Sequence, residues 1–171
     1  MTPDSAAGEL WRFSLAVYSA PGVAAHCLEL QDRHGADVNL VLAVAWAGAS
    51  GRGSLTVADI ARMDRAIAPL RAEVVEMLRH ARRWLKSVAA ESATGLGRLR
   101  VDIKAAELAA ERQVQSMLAA QIRDVPKASG EVPGARLSVA LGNVETYLRH
   151  LGADGMASRL SPAIEAWISA S

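Results

Sequence analysis

At 171 residues the chain has the length of one ordinary domain, and a chain of that length buries roughly 70% of the surface its unfolded form exposes. Apolar residues make up 51% and charged residues 22%, with aromatics at only 4%, which excludes a disordered chain and favours helices over sheet. The formal net charge of +1 gives no global argument for a nucleic-acid or membrane partner, so such a partner would have to read a local patch.

Met1 to Gly8 has neither a basic run nor an apolar stretch, and no signal peptide is expected there. The first helix is predicted from Gly8 to Ser19, with Leu10, Phe13, Val17 and Trp11 as its inward face. Pro21-Gly22 breaks it and starts a second helix from Val23 to His34. That helix carries an apolar stripe of Val23, Ala24, Cys27, Leu28 and Leu30, with His26, Glu29, Asp32 and Arg33 opposite. Cys27 is the one cysteine. It cannot close an internal disulfide, and a reducing, cytoplasmic setting is expected.

His34-Gly35-Ala36-Asp37 reads as a tight corner, in which Gly35 ends one helix in the left-handed conformation and Asp37 caps the next. The third helix, Val38 to Ala49, is apolar on every side except at Asn39, so it is expected at the centre of a helical bundle. Spanning a bilayer takes about 20 apolar residues, and this segment is shorter, so no membrane insertion is expected.

Residues 50–55 read as a loop, and Thr56 as the N-cap of a fourth helix to Ile67. Pro69 is expected to kink the chain or to open a fifth helix reaching Ser87. Residues 88–97 look loop-like. A sixth helix is predicted over Leu99 to Arg123, with its repeat running through Ile103, Ala106, Ala110, Val114, Met117 and Gln121. Residues 124–135, with Pro126, Gly130, Pro133 and Gly134, read as a further loop. Helices over Leu137 to Leu151 and Met156 to Ser169 complete the chain. No stretch alternates with the period of a strand. The expected fold is all-α, a compact multi-helix bundle forming a single domain over residues 1–171, with helix 38–49 at its centre.

Several stretches carry a resemblance: Trp11 to Tyr18, Pro21-Gly-Val23, Cys27 to Gly35, Asp37-Val-Asn-Leu40, Trp46-Ala-Gly48, Leu78 to Lys86 and Lys104 to Arg112. Together they resemble an uncharacterised bacterial family catalogued only as a domain of unknown function. The segment from Gln31 to Asn39 is the most specific part of the likeness. Met77 stands where the pattern has a proline. The resemblance implies a small helical protein and supplies no activity.

Two polar clusters could carry function. Gln31, His34, Asp37 and Asn39 surround the corner. They could line a ligand pocket, with His34 exchanging a proton under the influence of Asp37. They could equally be a capped corner in which Asn39 ties two helices together, a reading that accounts for each residue by the needs of helix ends. Arg79, Arg82, Arg83 and Lys86 fall at i, i+3, i+4 and i+7, one stripe on the fifth helix opposite Leu78, Ala81 and Leu85. That stripe could take an anion or an acidic protein. It could also be a solvated face, or pair with Glu107 and Glu111.

Other signals are weaker. His26, Cys27 and His34 lack the spacing of a metal site, because neighbours on a helix diverge by about 100°. Trp11, Trp46, Trp84 and Trp167 fall on separate helices and read as core or interface. Gly51-Arg-Gly53 lacks the lysine of a phosphate loop. A DNA-reading role for the corner fails, since the helix after it offers no basic side chain to a groove. The functional expectation is a non-enzymatic binding or regulatory protein that uses the basic helix face. The alternative is a small-ligand protein or enzyme at the corner, and weak nucleic-acid binding comes third. No cofactor is expected.

Overall fold

The computed structural model describes residues 5–88, 95–123 and 132–171. Helices account for all the regular structure among these residues, and none of them is in a strand. Helix α1 spans Ala6–Tyr18, and the Ser5 hydroxyl accepts from the Gly8 amide to cap it. Helix α2 spans Val23–His34 and stops at Gly35, whose φ of 68° is open to glycine at little cost. Helix α3 spans Val38–Ala49. The Asp37 carboxylate caps it by accepting from the Leu40 amide at 3.1 Å.

Leu40 to Ala49 is buried without interruption, so α3 is the axis of the bundle, packed by α1, α6 and α7. Its closest neighbour is α7, Pro133–His150. Gly48 explains the approach: a Cβ there would lie 2.3 Å from the Ala140 backbone nitrogen. Asn143 on α7 fastens the same junction. It donates to the carbonyls of Val44 and Gly53 and accepts from the Leu55 amide.

The loop after α3 is anchored by Arg52, which sequence reasoning dismissed with its glycines. Its guanidinium is buried, lies 4.1 Å over the Trp46 ring and pairs with Glu9 at 3.3 Å. Helix α4, Val57–Leu70, opens on a capping box between Thr56 and Asp59. Pro69 lies inside α4 rather than ending it, and the chain continues through a π-helical turn, Arg71–Val75, into α5, Glu76–Val88. A proline withholds one amide from the ladder, and the wider turn directly after it is where the ladder is irregular.

Helix α6, Leu96–Arg123, starts earlier than its predicted boundary. Its inner face is also rotated from the expected one. Ala106 is exposed and Ile103 only half-buried, while Glu107, Val114, Gln115, Leu118, Ala119 and Ile122 are buried. The expected loop at 124–135 falls partly outside the described residues. Its Pro133 and Gly134 are the first residues of α7, where a proline needs no amide partner. A 3₁₀ turn, Ala157–Leu160, leads into α8, Ser161–Ser169.

His26 departs from its expected place on the polar side of α2. It is 5% exposed, with Nε2 2.9 Å from the Met156 carbonyl and Nδ1 3.1 Å from Arg159. Trp84, expected in a core or interface, is exposed, whereas Trp167 packs edge-on to Phe13 at 5.0 Å. Among the described residues, no helix is long and apolar enough to cross a membrane.

Candidate functional site

Helix α5 packs chiefly on α6 and on the π turn. The first half of α6 is largely exposed, and its second half is built into the bundle against α1, α3 and α4. Helix α5 and the start of α6 therefore form an arm that stands off from the body. The gap between this arm and α1, α2 and α3 is a cleft of about 530 Å³.

The two polar clusters meet in this cleft. Gln31 and Asn39 from the corner line it together with Arg79, Arg82 and Arg83 from the stripe. The sequence offered no reason to join them, because the contact spans 40 or more residues of chain.

Arg79 is the join. Its Nη1 donates to Gln31 Oε1 at 3.0 Å and its Nη2 to Glu111 Oε1 at 2.8 Å, and its Nε reaches Glu107 Oε1 at 3.4 Å. Arg82 donates to the same Glu107 carboxylate through Nε and, at 3.2 Å, through Nη2. Of the readings open for the stripe, pairing with Glu107 and Glu111 is the one that Arg79 and Arg82 adopt. Arg79 and Arg82 turn into the α5–α6 seam because Glu107 occupies a buried position there, and a buried carboxylate needs cations. Arg83 and Lys86 are exposed and make no ion pair among the described residues. Of these two only Arg83 lines the cleft.

The two glutamates are driven in opposite directions. Burial pushes Glu107 up, but the hydrogen bonds and charges of Arg82 and Arg79 outweigh it and hold the carboxyl below its ordinary value. Burial also pushes Glu111 up, and the bond from Arg79 only partly offsets it, so this carboxyl stays above its ordinary value. The lining carries four cations (Arg79, Arg82, Arg83, Lys104) against three carboxylates (Asp32, Glu107, Glu111), a surplus of one positive charge. With Arg79 and Arg82 set against Glu107 and Glu111, Arg83 and Lys104 outnumber Asp32 by one, and neither has an ion-pair partner among the described residues.

The other walls are apolar. Trp11, Leu15 and Tyr18 on α1, Leu28 on α2 and Leu108 on α6 face the cleft, with Leu15, Leu28 and Leu108 each about half exposed. At the floor, where α1, α3 and α6 meet, Gln115 Nε2 donates to Asn39 Oδ1 at 3.1 Å. Asn39 therefore ties α3 to α6. The Gln115 Oε1 and Ser14 Oγ atoms are buried and have no hydrogen-bond partner among the described residues. Both residues line the cleft, and both were missed from the sequence. Gln115 shares a face with Glu107 and Glu111 at four-residue spacing, which was the available signal.

His34 and Asp37 stand apart from the cleft. Asp37 is committed to the Leu40 amide and, at 3.4 Å, to Arg71, so it does not steer His34. His34 is half-buried and makes no side-chain hydrogen bond among the described residues. Burial pushes the Cys27 thiol up to about 11, which keeps it protonated and unreactive. Among the described residues, no group of three or more His, Cys, Asp or Glu side chains is placed to hold a metal.

A family described as "Protein of unknown function (DUF2390)" matches residues 9–118. The chain belongs to this family. The DUF2390 match covers α1 through most of α6, so it contains every wall of the cleft. Neither the curated proteins nor the solved structures gave a match.

Proposed function

We propose that this DUF2390 protein is a non-enzymatic binding protein of the cytoplasm, and that the cleft beneath the α5–α6 arm holds its ligand. The observation that carries the reading is the composition of that cleft: one apolar side, and a basic edge at Arg83 and Lys104, which have no ion-pair partner among the described residues. Such a surface fits an organic anion with an apolar body. Its volume of about 530 Å³ is that of a small-molecule site, for which roughly 300–1,000 Å³ is usual. A catalytic reading lacks support, since both glutamates are engaged by arginines and the thiol is buried.

A second reading, an acidic protein segment, is favoured by the half-exposed Leu15, Leu28 and Leu108 at the rim, which a partner helix could cover. The small-anion reading is preferred because the cleft's volume is that of a small-molecule site.

Anilinonaphthalene sulfonate, an aromatic anion, tests it. The folded protein should bind the dye at one saturable site, with energy transfer from Trp11. Arg83→Gln combined with Lys104→Gln should weaken binding, and so should added salt, since exposed charges are screened over about 10 Å at 0.1 M. Binding that the double substitution leaves unchanged would place the dye elsewhere and remove the proposal.

A further inference from the structure

We infer that the rim of the cleft is a docking face for an anionic lipid bilayer, so that the cleft opens onto the membrane surface and draws its amphiphilic anion from there. The supply of ligand rests on the proposed function; the docking face rests on the rim itself.

Positive charge is concentrated on this side of the molecule. Residues 83–104 hold five Lys and Arg against two acidic residues, a surplus of three in a chain whose net charge is +1. Arg83 and Lys104 line the cleft, and each has an exposed cation at helical spacing beside it: Lys86 three residues after Arg83, and Arg100 four residues before Lys104. None of the four has an ion-pair partner among the described residues. Asp102 pairs with Arg98 instead. Residues two apart on a helix point about 200° from one another, so Asp102 lies away from the face of Arg100 and Lys104.

The same rim carries apolar side chains that the fold leaves in water. Leu15 on α1, Leu28 on α2 and Leu108 on α6 are each about half exposed. Val101, seven residues before Leu108, is also exposed and extends the row along α6. Tyr18 adds a ring with a polar tip, a kind of side chain enriched at membrane interfaces. These side chains surround an opening and do not form a flat patch. Hydrocarbon closes around such projections without the matched shape that a protein partner would need. Nucleic acid is disfavoured by the same residues, since leucine and valine offer bases no stacking face. Apolar anchors beside unpaired cations are what an anionic bilayer recognises, and a cytoplasmic leaflet carries the complementary negative surface potential.

Sedimentation of the full chain with vesicles tests the docking face. It should bind vesicles of equal parts phosphatidylglycerol and phosphatidylcholine, bind pure phosphatidylcholine far more weakly, and be released as salt rises. Lys86→Gln combined with Arg100→Gln should weaken vesicle binding about tenfold or more, since each basic residue near an anionic surface contributes roughly fivefold. Neither residue lines the cleft, so capture of anilinonaphthalene sulfonate without lipid should stay nearly unchanged. Leu28→Ser combined with Leu108→Ser should also weaken vesicle binding, by about tenfold, with the melting temperature kept. Equal binding to neutral vesicles, binding that the charge pair leaves unchanged, or no vesicle binding while the dye still binds would each overturn the inference and leave the cleft standing. Vesicle binding without dye binding would keep the docking face and remove the ligand site. An oligonucleotide that strips the protein from the vesicles would assign the face to nucleic acid, and self-association abolished by the leucine pair would assign it to a second copy. Either result would overturn the inference.

Discussion

His26 shows how one buried side chain can make a helical body sensitive to acid. Its Nε2–H donates to the Met156 carbonyl, and its Nδ1 accepts from Arg159, an arrangement available only to the neutral ring. Burial lowers its pKa from 6.5; the bond to Met156 opposes that, and the Arg159 charge adds to the lowering, against a smaller pull from Glu29. The sign follows. With the folded value below the unfolded one, the unfolded chain binds the proton first, so the stabilisation is complete above about pH 6.5 and is lost as the pH falls towards the folded value. Urea melts at pH 7.5 and 5.5 should show the wild type losing stability across this interval and His26→Gln losing less. Equal losses would mean that the ring does not carry the effect. Asn39 and Gln115 belong to the same scale: each is a polar group in an apolar setting, but only the pair reveals why, since the partners are separated by 76 residues.

At the scale of elements, α3 and α7 are held at contact distance by the absence of a side chain at Gly48. A Cβ would meet three backbone atoms of α7 at 2.3 to 2.7 Å, and backbone cannot rotate away as a side chain could. Gly48→Ala should therefore destabilise the protein by about 1–3 kcal/mol or more despite alanine's better helix propensity. A thermal melt matching the wild type would show that α7 can shift at no cost. The elements were largely legible in advance where local chemistry fixes them: Gly35 and Asp37 delimit α2 and α3, and Thr56 with Asp59 starts α4. The centrality of α3 was readable from its uninterrupted apolar run. Pro133 misled because the same residue that breaks a helix interior also suits its first turn; at Pro69, where a kink or a new helix was expected, a π turn follows and the helix runs on. The face of α6 was misassigned because a count of apolar positions passes over Glu107 and Gln115, which are buried by virtue of partners on other helices. The cleft was illegible for the same reason. Its residues were named, but their meeting depends on how α5 and α6 lie against the body.

The whole molecule is a helical body carrying an arm, and the cleft wall is also the seam that holds the arm together. Neighbouring arginines on α5 divide these two tasks. Arg82 donates twice to a Glu107 carboxylate whose side chain is only 8% exposed, while Arg83 lines the cleft without an ion-pair partner among the described residues. Replacing each by Gln preserves helix propensity and most of the stem, so the pair of variants isolates charge. Arg82→Gln strands part of a buried charge, though Arg79 remains beside it and Arg82 itself is one-third exposed, so the cost should be about 1–3 kcal/mol. For a chain of this length that lowers the melting temperature by roughly 2–12 °C. Arg83→Gln should leave the melting temperature nearly unchanged and weaken capture of anilinonaphthalene sulfonate. The deficit of Arg82→Gln should also depend on pH. Glu107 is held below its ordinary value, so the salt bridge contributes fully above the ordinary glutamate range and is lost as the pH falls through the lowered folded value. The gap between wild type and Arg82→Gln should therefore be widest near neutral pH and close in acid, where Glu107 becomes neutral in both. An Arg82→Gln protein as stable as the wild type at pH 7, with Arg83→Gln the unstable one, would reverse the division between seam and site.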